Sequence, residues 1–183
     1  MRIRPGAHFD LNTVRLIVTD LDGVWTDGSI WFDDWGNEFK RFSAMDGFGI
    51  QLGRKAGLAF AILSGRCSAC VVHRAAGLGI DDVVQGSGDK VADLDRICGR
   101  FGVKPDQTLY MGDDLPDAGA MARAGVSVTV PHAPEALRAL AHAVTDAPAG
   151  DGALREMVEW VLAGQGRLDA LVSSFLAAPG DTP

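Results

Sequence analysis

The chain carries its candidate chemistry in four short clusters. Asp20 and Asp22 stand one residue apart with Gly23 directly behind them. Ser64-Gly65-Arg66 adds a hydroxyl and a guanidinium, and Gly86-Ser87-Gly88-Asp89-Lys90 adds a glycine-rich loop and an ammonium. Gly112-Asp113-Asp114-Leu115-Pro116-Asp117 adds three more carboxylates. Paired carboxylates beside a glycine turn suit a divalent cation, which takes oxygen ligands, and a phosphate, which takes exposed backbone N–H groups. An isolated Asp-x-Asp-Gly is equally a solvated turn. The ordered set points to phosphoryl transfer, where a cation must offset the repulsion between a carboxylate nucleophile and a phosphomonoester dianion. Lys90, the Ser64 hydroxyl and backbone donors near Gly23 would spread over the phosphoryl oxygens.

Each cluster follows a short apolar run: Leu16 to Thr19, Phe60 to Leu63, Val83-Val84 and Thr108 to Met111. These read as buried parallel strands, with a fifth over Val126 to Val130. Helical spacing lies between them: Gly47 to Lys55 with Asp46 as cap, Ala69 to Ala76, Lys90 to Gly99, Asp114 to Ala124 and Pro134 to Ala141. Leu154, Val158, Val161 and Leu162 give a last amphipathic helix its apolar face. The alternation predicts an α/β fold, a Rossmann-like parallel sheet flanked by helices, in one domain spanning 1–183. In such sheets ligands bind at the carboxyl ends of the strands, so the four clusters converge on one crevice.

The four clusters resemble the motifs of the haloacid dehalogenase superfamily of phosphotransferases. The resemblance implies that Asp20 is the nucleophile that forms an aspartyl-phosphate, and that Asp22 protonates the leaving alcohol and then activates water. It implies that Gly23, Ser64, Gly65 and Lys90 hold the phosphoryl group. It also implies that Asp20, Asp113 and the Asp22 carbonyl ligate magnesium, with Asp114 and Asp117 behind the metal or orienting Lys90. Since a free aspartate titrates near pH 3.9, Asp22 acts as an acid only if its surroundings raise that value.

The intervals between the clusters are too short to hold a lid domain, so no cap domain is expected. Instead, Ser29 to Phe42 reads as a protruding β-hairpin, about residues 28–42, around the turn Asp33-Asp34-Trp35-Gly36-Asn37. Trp25, Trp31, Phe32 and Trp35 crowd a segment too short to bury them, which marks either a hairpin folded onto its own core or a subunit contact. Over nearly its whole length the chain is similar to the capless 3-deoxy-D-manno-octulosonate 8-phosphate phosphatase family, through Asp20 to Gly28, Met45 to Gly49, Leu63 to Arg66, Gln85-Gly86, Gly112 to Asp117 and Gly152 to Glu156. That likeness implies a homotetramer built through the hairpin, with neighbours completing each site. It implies a sugar-acid phosphate as substrate, and a role in making lipopolysaccharide precursors. Arg66, and less directly Arg74, would then meet the substrate; a guanidinium binds carboxylates in bidentate fashion. Related phosphatases of nine-carbon sialic-type sugars carry glutamate at the Arg66 position. The plainer alternatives are that Arg66 pairs with a nearby aspartate and that Arg74 lies on a solvated helix face. Trp25 departs from a smaller apolar residue, Ser64 from threonine, and Ala149-Gly150-Asp151-Gly152 lacks one family glycine.

Composition bounds the function. With 47% apolar residues the chain can bury a real core, and a net charge of −7 without a basic stripe excludes nucleic acid as a partner. No run reaches the roughly 20 apolar residues of a membrane span, and the start has no secretory pattern, so a cytoplasmic location is expected. Cys67 and Cys70 form a C-x-x-C, but Cys98 supplies too few further ligands for zinc, and packing is the simpler role. Apolar Leu168, Leu171, Val172, Phe175 and Leu176 form a tail, about residues 164–178, expected to dock on a neighbour before an end that frays over Pro179 to Pro183. Two other readings are a phosphatase of macromolecular or other sugar phosphates, and a non-catalytic oligomerisation module. Intact acidic clusters count against the module.

Overall fold

The computed structural model describes residues 1–80 and 82–177; residue 178 of the tail and the end expected to fray lie outside them. In chain order the elements are β1 (Arg2–Ile3), β2 (Leu16–Thr19), β3 (Trp31–Phe32), β4 (Glu38–Phe39), α1 (Ala44–Lys55), β5 (Ala59–Leu63), α2 (Ala69–Leu78), β6 (Asp82–Val84), α3 (Lys90–Phe101), β7 (Thr108–Met111), α4 (Ala118–Arg123), β8 (Val126–Thr129), α5 (Glu135–Leu140), β9 (Ala143–Val144), α6 (Ala153–Gly164) and α7 (Leu168–Leu176). The main sheet has the order β1-β9-β8-β7-β2-β5-β6, and all its pairings are parallel except β1 with β9.

Strand β2 sits at the centre because it is apolar on both faces: Leu16, Ile17, Val18 and Thr19 are all buried. From β2 the chain runs outward to β5 and β6, then crosses back to β7 and onward to β8 and β9. The direction of winding reverses beside β2. Such a switch point leaves a crevice at the strand ends, and there the chain turns at Asp20 and at Gly112. Backbone bonds lock the two ends together, since Asp20 N–H donates to the Met111 carbonyl at 2.8 Å.

Several local expectations shift. Helix α1 starts at Ala44 rather than Gly47, because Ser43 caps it by accepting from Asp46 N–H at 3.3 Å. Asp46 is instead buried, and its carboxylate accepts from Gly152 N–H at 3.1 Å and Arg155 N–H at 2.9 Å at the start of α6. Gly150 N–H donates to the Val24 carbonyl at 3.1 Å. The loop with the missing family glycine is therefore tied to both the Asp20 turn and α1. Asp114 to Ala124 opens as a 3-10 turn over Leu115–Asp117 and becomes α-helical only at Ala118. The short strands β1 and β9 carry no pattern that marks them in the sequence.

The hairpin forms as a separate two-stranded ribbon in which Trp31 pairs with Phe39 and Phe32 with Glu38. Trp31, Phe32 and Phe39 are more than half exposed, and Trp35 is 85% exposed. Trp25 does not belong with them: it is buried, and its indole N–H donates to the Thr19 hydroxyl at 2.6 Å. Among the described residues no cap domain covers the strand ends. Helix α7 lies against α1, where Phe175 meets Phe48 edge-on at 5.4 Å, and it leaves Phe175 and Leu176 largely exposed.

Candidate active site

Asp20 is the first residue beyond β2, and Gly23 turns the chain behind it with φ +82°. A Cβ built on Gly23 falls 2.0 Å from Asp113 Oδ2, so the Asp113 carboxylate occupies the space that a side chain would take. The turn is held from within, because the Thr26 hydroxyl accepts from both Gly23 N–H and Gly28 N–H at 3.3 Å. Asp113 itself follows β7 and reaches the crevice from the neighbouring strand.

Carboxylate oxygens of Asp20, Asp113 and Asp117 all lie within 4.8 Å of one another. Lys90, the first residue of α3, bridges two of them: its Nζ is 3.0 Å from Asp20 Oδ2 and donates to Asp117 Oδ1 at 2.6 Å. Asp117 is 1% exposed and fully engaged. It also accepts from the Tyr110 hydroxyl at 2.7 Å and from the backbone N–H of Asp113 at 3.1 Å and Asp114 at 3.3 Å. Asp117 thus holds the Lys90 ammonium through its Oδ1, while its Oδ2 takes the two backbone bonds. Asp114 turns away to cap its own loop by accepting from Leu115 N–H.

Too many negative charges share this space for all to be ionised without a further cation. Burial, then the Asp117 charge, pushes Asp20 up to about 6 despite the opposing pull of Lys90. Burial, then Asp20 and Asp117, pushes Asp113 up to about 7. Burial disfavours the Lys90 ammonium, but Asp20 and Asp117 outweigh it and hold that group above the ordinary lysine range. Asp20 Oδ1 is buried without a hydrogen-bond partner. An orphaned carboxylate oxygen beside two further carboxylates is a donor set for a hard divalent cation, and the residues present fit one.

Asp22 occupies different surroundings, although it is only two residues from Asp20. Its Oδ1 accepts from Lys40 Nζ at 2.5 Å. Its Oδ2 is buried without a hydrogen-bond partner, and Arg66 Nε stands 3.4 Å away. Ser64 is 2% exposed at the end of β5. Together Asp20, Asp22, Ser64, Gly65, Arg66, Lys90, Asp113, Asp114, Pro116 and Asp117 line an open crevice of about 210 Å³. That is below the roughly 300–1,000 Å³ of most small-molecule sites. It is large enough for a phosphoryl group but not for a whole sugar phosphate.

Two predicted site residues do not line the crevice. Gly23 lies in the turn beneath Asp113, and the Arg74 guanidinium donates to the Ser43 carbonyl at 3.0 Å and stacks near the Phe42 ring. The alternative reading of Arg66 has support, since it pairs with Asp22 and with Glu38, where its Nη2 donates to Oε1 at 3.1 Å. Lys40, Glu38 and Tyr110 escaped the sequence reading. Glu38 and Lys40 stand at i and i+2 in the extended second arm of the hairpin, which was the available signal. Tyr110 is the chain's single tyrosine, inside an apolar strand. Cys70 donates weakly to the Glu38 carbonyl and Cys98 is buried beside Thr108, both packing roles.

Known proteins give the same picture. Residues 54–157 match the model of the haloacid dehalogenase-like hydrolases. The 3-deoxy-D-manno-octulosonate 8-phosphate phosphatase KdsC of Salmonella typhimurium is 35% identical over 167 residues, covering 91% of this chain and 89% of the relative. The corresponding phosphatase of Moraxella catarrhalis, solved with magnesium, phosphate and a KDO molecule, superposes with a TM-score of 0.88 at 37% identity, covering 90% of this chain and 95% of that one. The cobalt-bound enzyme of Haemophilus influenzae gives 0.87 at 35% identity, covering 91% and 99%. With the Asp20 turn, the lysine and the paired acidic strand ends all assembled in one crevice, the chain belongs to the haloacid dehalogenase-like hydrolases, among the 3-deoxy-D-manno-octulosonate 8-phosphate phosphatases.

Proposed function

We propose that this protein hydrolyses 3-deoxy-D-manno-octulosonate 8-phosphate to the free sugar acid and phosphate, with magnesium as cofactor. What carries the reading is Asp20 Oδ1, a buried oxygen without a hydrogen-bond partner in a residue that lines the crevice, while Lys90 secures the other oxygen of the same carboxylate. Asp20, Asp113 and the main-chain carbonyl of Asp22 would hold the cation. When bound, magnesium offsets the charge on the phosphoryl oxygens and on the carboxylates around it.

In the first step Asp20 Oδ1 forms a bond to phosphorus as the bond from phosphorus to the sugar oxygen breaks. Asp22 gives its proton to that departing oxygen. In the second step Asp22 takes a proton from water, whose oxygen attacks phosphorus and releases Asp20. Lys90, aimed by Asp117, and the Ser64 hydroxyl bind the phosphoryl oxygens throughout. Gly23 leaves the space that the Asp113 carboxylate fills, and Gly65 keeps the crevice wall free of a side chain. Arg66, at the rim and 46% exposed, is set to meet a substrate carboxylate.

A crevice this small leaves the sugar acid uncovered, and the exposed aromatics of the hairpin supply the surface for a second copy to cover it. We place the protein in the cytoplasm as a homotetramer assembled through that hairpin and completed by the 164–178 tail, acting on a precursor of lipopolysaccharide. Among the described residues no helix is long and apolar enough to cross a membrane.

The test is magnesium-dependent phosphate release from a panel holding the eight-carbon 8-phosphate, a nine-carbon keto-acid 9-phosphate and simple sugar phosphates. The eight-carbon ester is expected to have the highest kcat/KM, and Asp20→Asn to abolish turnover of all while leaving the fold intact. A preference for the nine-carbon ester would overturn the substrate reading; near-normal Asp20→Asn activity would overturn the nucleophile.

A further inference from the structure

Asp22 must do more than be present: one of its oxygens has to face the leaving group while the other is kept from rotating into its place. The side chain that meets this need comes from the hairpin. Lys40 follows β4, its side chain is fully buried, and its ammonium donates to Asp22 Oδ1. That leaves Asp22 Oδ2 without a hydrogen bond, 3.4 Å from Arg66 Nε, in a residue that lines the crevice. Lys40 is held in turn by Glu38, whose Oε1 lies 3.3 Å from Nζ, and the same Oε1 accepts from Arg66 Nη2 at 3.1 Å. One carboxylate on the hairpin thus anchors both the cation behind Asp22 and the guanidinium at the rim.

We propose that Lys40 is a positioning residue for Asp22, and that Glu38 couples it to Arg66, so that the placement of the hairpin sets the aim of the proton-handling carboxyl. The inference rests on the phosphatase reading, in which Asp22 protonates the departing oxygen. Among the described residues the hairpin strands pair only with each other, as a two-residue ribbon separate from the main sheet, and outside the charge cluster Cys70 Sγ also reaches the Glu38 carbonyl. The charge cluster at Glu38, Lys40, Asp22 and Arg66 is therefore a direct mechanical link from hairpin to chemistry. The ammonium favours the ionised carboxylate, the form in which Asp22 takes a proton from water, and by binding one oxygen strongly at short range it leaves the other to take up and give the proton.

Lys40→Met keeps the stem and removes the ammonium; Lys40→Arg keeps the charge. Both are compared with the wild type in single turnover, enzyme in excess, on two esters the wild type cleaves: an alkyl sugar phosphate and p-nitrophenyl phosphate. The alkyl oxygen needs a proton to leave, whereas the nitrophenolate does not. Because general acids contribute roughly 10²–10⁴-fold, Lys40→Met is expected to slow alcohol release from the alkyl ester by about 30-fold or more. It should slow nitrophenol release less than about 3-fold, with KM nearly unchanged, and Lys40→Arg should recover most of the alkyl rate. Equal losses on both esters, or no loss on either, would overturn the positioning role. Should Lys40→Met not fold, Glu38→Gln carries the same test. It is expected to lower the alkyl rate selectively and to raise KM for a substrate bearing a carboxylate through Arg66. A wild type that prefers some other alkyl phosphate would sink the substrate assignment while leaving the alkyl-to-aryl comparison decisive for Lys40.

Discussion

Gly23 and Gly28 make a matched pair that separates backbone strain from damage to the cation site. Both have left-handed φ, +82° and +83°. A Cβ on Gly23 falls 2.0 Å from Asp113 Oδ2, whereas on Gly28 the nearest atom is 3.8 Å away. Forcing an L-residue into that region costs about 1–2 kcal/mol. For a chain of this size that lowers Tm by roughly 2–8 °C, taking about 2–4 °C per kcal/mol. Gly28→Ala is expected to pay that strain and nothing more. In Gly23→Ala the carboxylate of Asp113 can swing aside, so the added loss of stability is small, but it then leaves the cluster with Asp20 and Asp117. A displaced ligand should weaken magnesium binding by at least the 10–100-fold typical of disturbed metal-site support. The assay is the rise in Tm with increasing magnesium, together with phosphatase turnover. Both variants should lose similar stability without metal, while only Gly23→Ala loses the magnesium response and most of the activity. Equal magnesium affinity in the two variants would refute the claim that Asp113 fills the space above Gly23.

Without metal, the raised positions of Asp20 and Asp113 mean that the folded protein holds more protons than the unfolded chain between about pH 4 and 7. Stability then falls as pH rises through that window. Because the cation must displace those protons, the magnesium-induced rise in Tm should grow from pH 5 to pH 8; a flat response would count against the cluster as the binding site. Tyr110→Phe removes the hydroxyl that donates to Asp117 at 2.7 Å. It should cost about 1–2 kcal/mol in denaturant unfolding and lower kcat more than it raises KM, because Lys90 loses its fixed aim. Trp25→Phe leaves the Thr19 hydroxyl without its donor inside the core. It should destabilise by about 1–3 kcal/mol with turnover per folded molecule preserved.

How much of this was legible depends on how local the cause is. Strands β2, β5 and β7 announce themselves because each is a continuous apolar run stopped by a polar, glycine-bearing turn. The same turns carry Asp20, Ser64 and Asp113, so the site came with the strands. Asp46 misled because an aspartate beside Gly47 looks like a local cap, while its true partners are Gly152 and Arg155 at the far end of the chain. Trp25 sits next to an aromatic-rich hairpin, and only the three-dimensional turn sends its ring inward to Thr19. The spacing of Arg74 on its helix says nothing about Ser43, which draws its guanidinium away from the crevice. Strands of two residues, such as β1 and β9, are too short to display a period at all.

The two aspartates of the first turn show why such a motif needs its glycine and its hairpin together. Asp20 faces two acids and one ammonium, so its neighbourhood is short of positive charge and calls for a cation. Asp22, two residues on, faces two cations, Lys40 and Arg66, that share one counter-charge in Glu38. A strand alone would send both side chains to the same face and merge these surroundings. The turn at Gly23 separates them, and the hairpin brings in the ammonium that keeps them separate. In the proposed mechanism the first surroundings suit a carboxylate that bonds phosphorus beside a metal, and the second suit one that passes a proton. Different parts of the fold supply the charges around each.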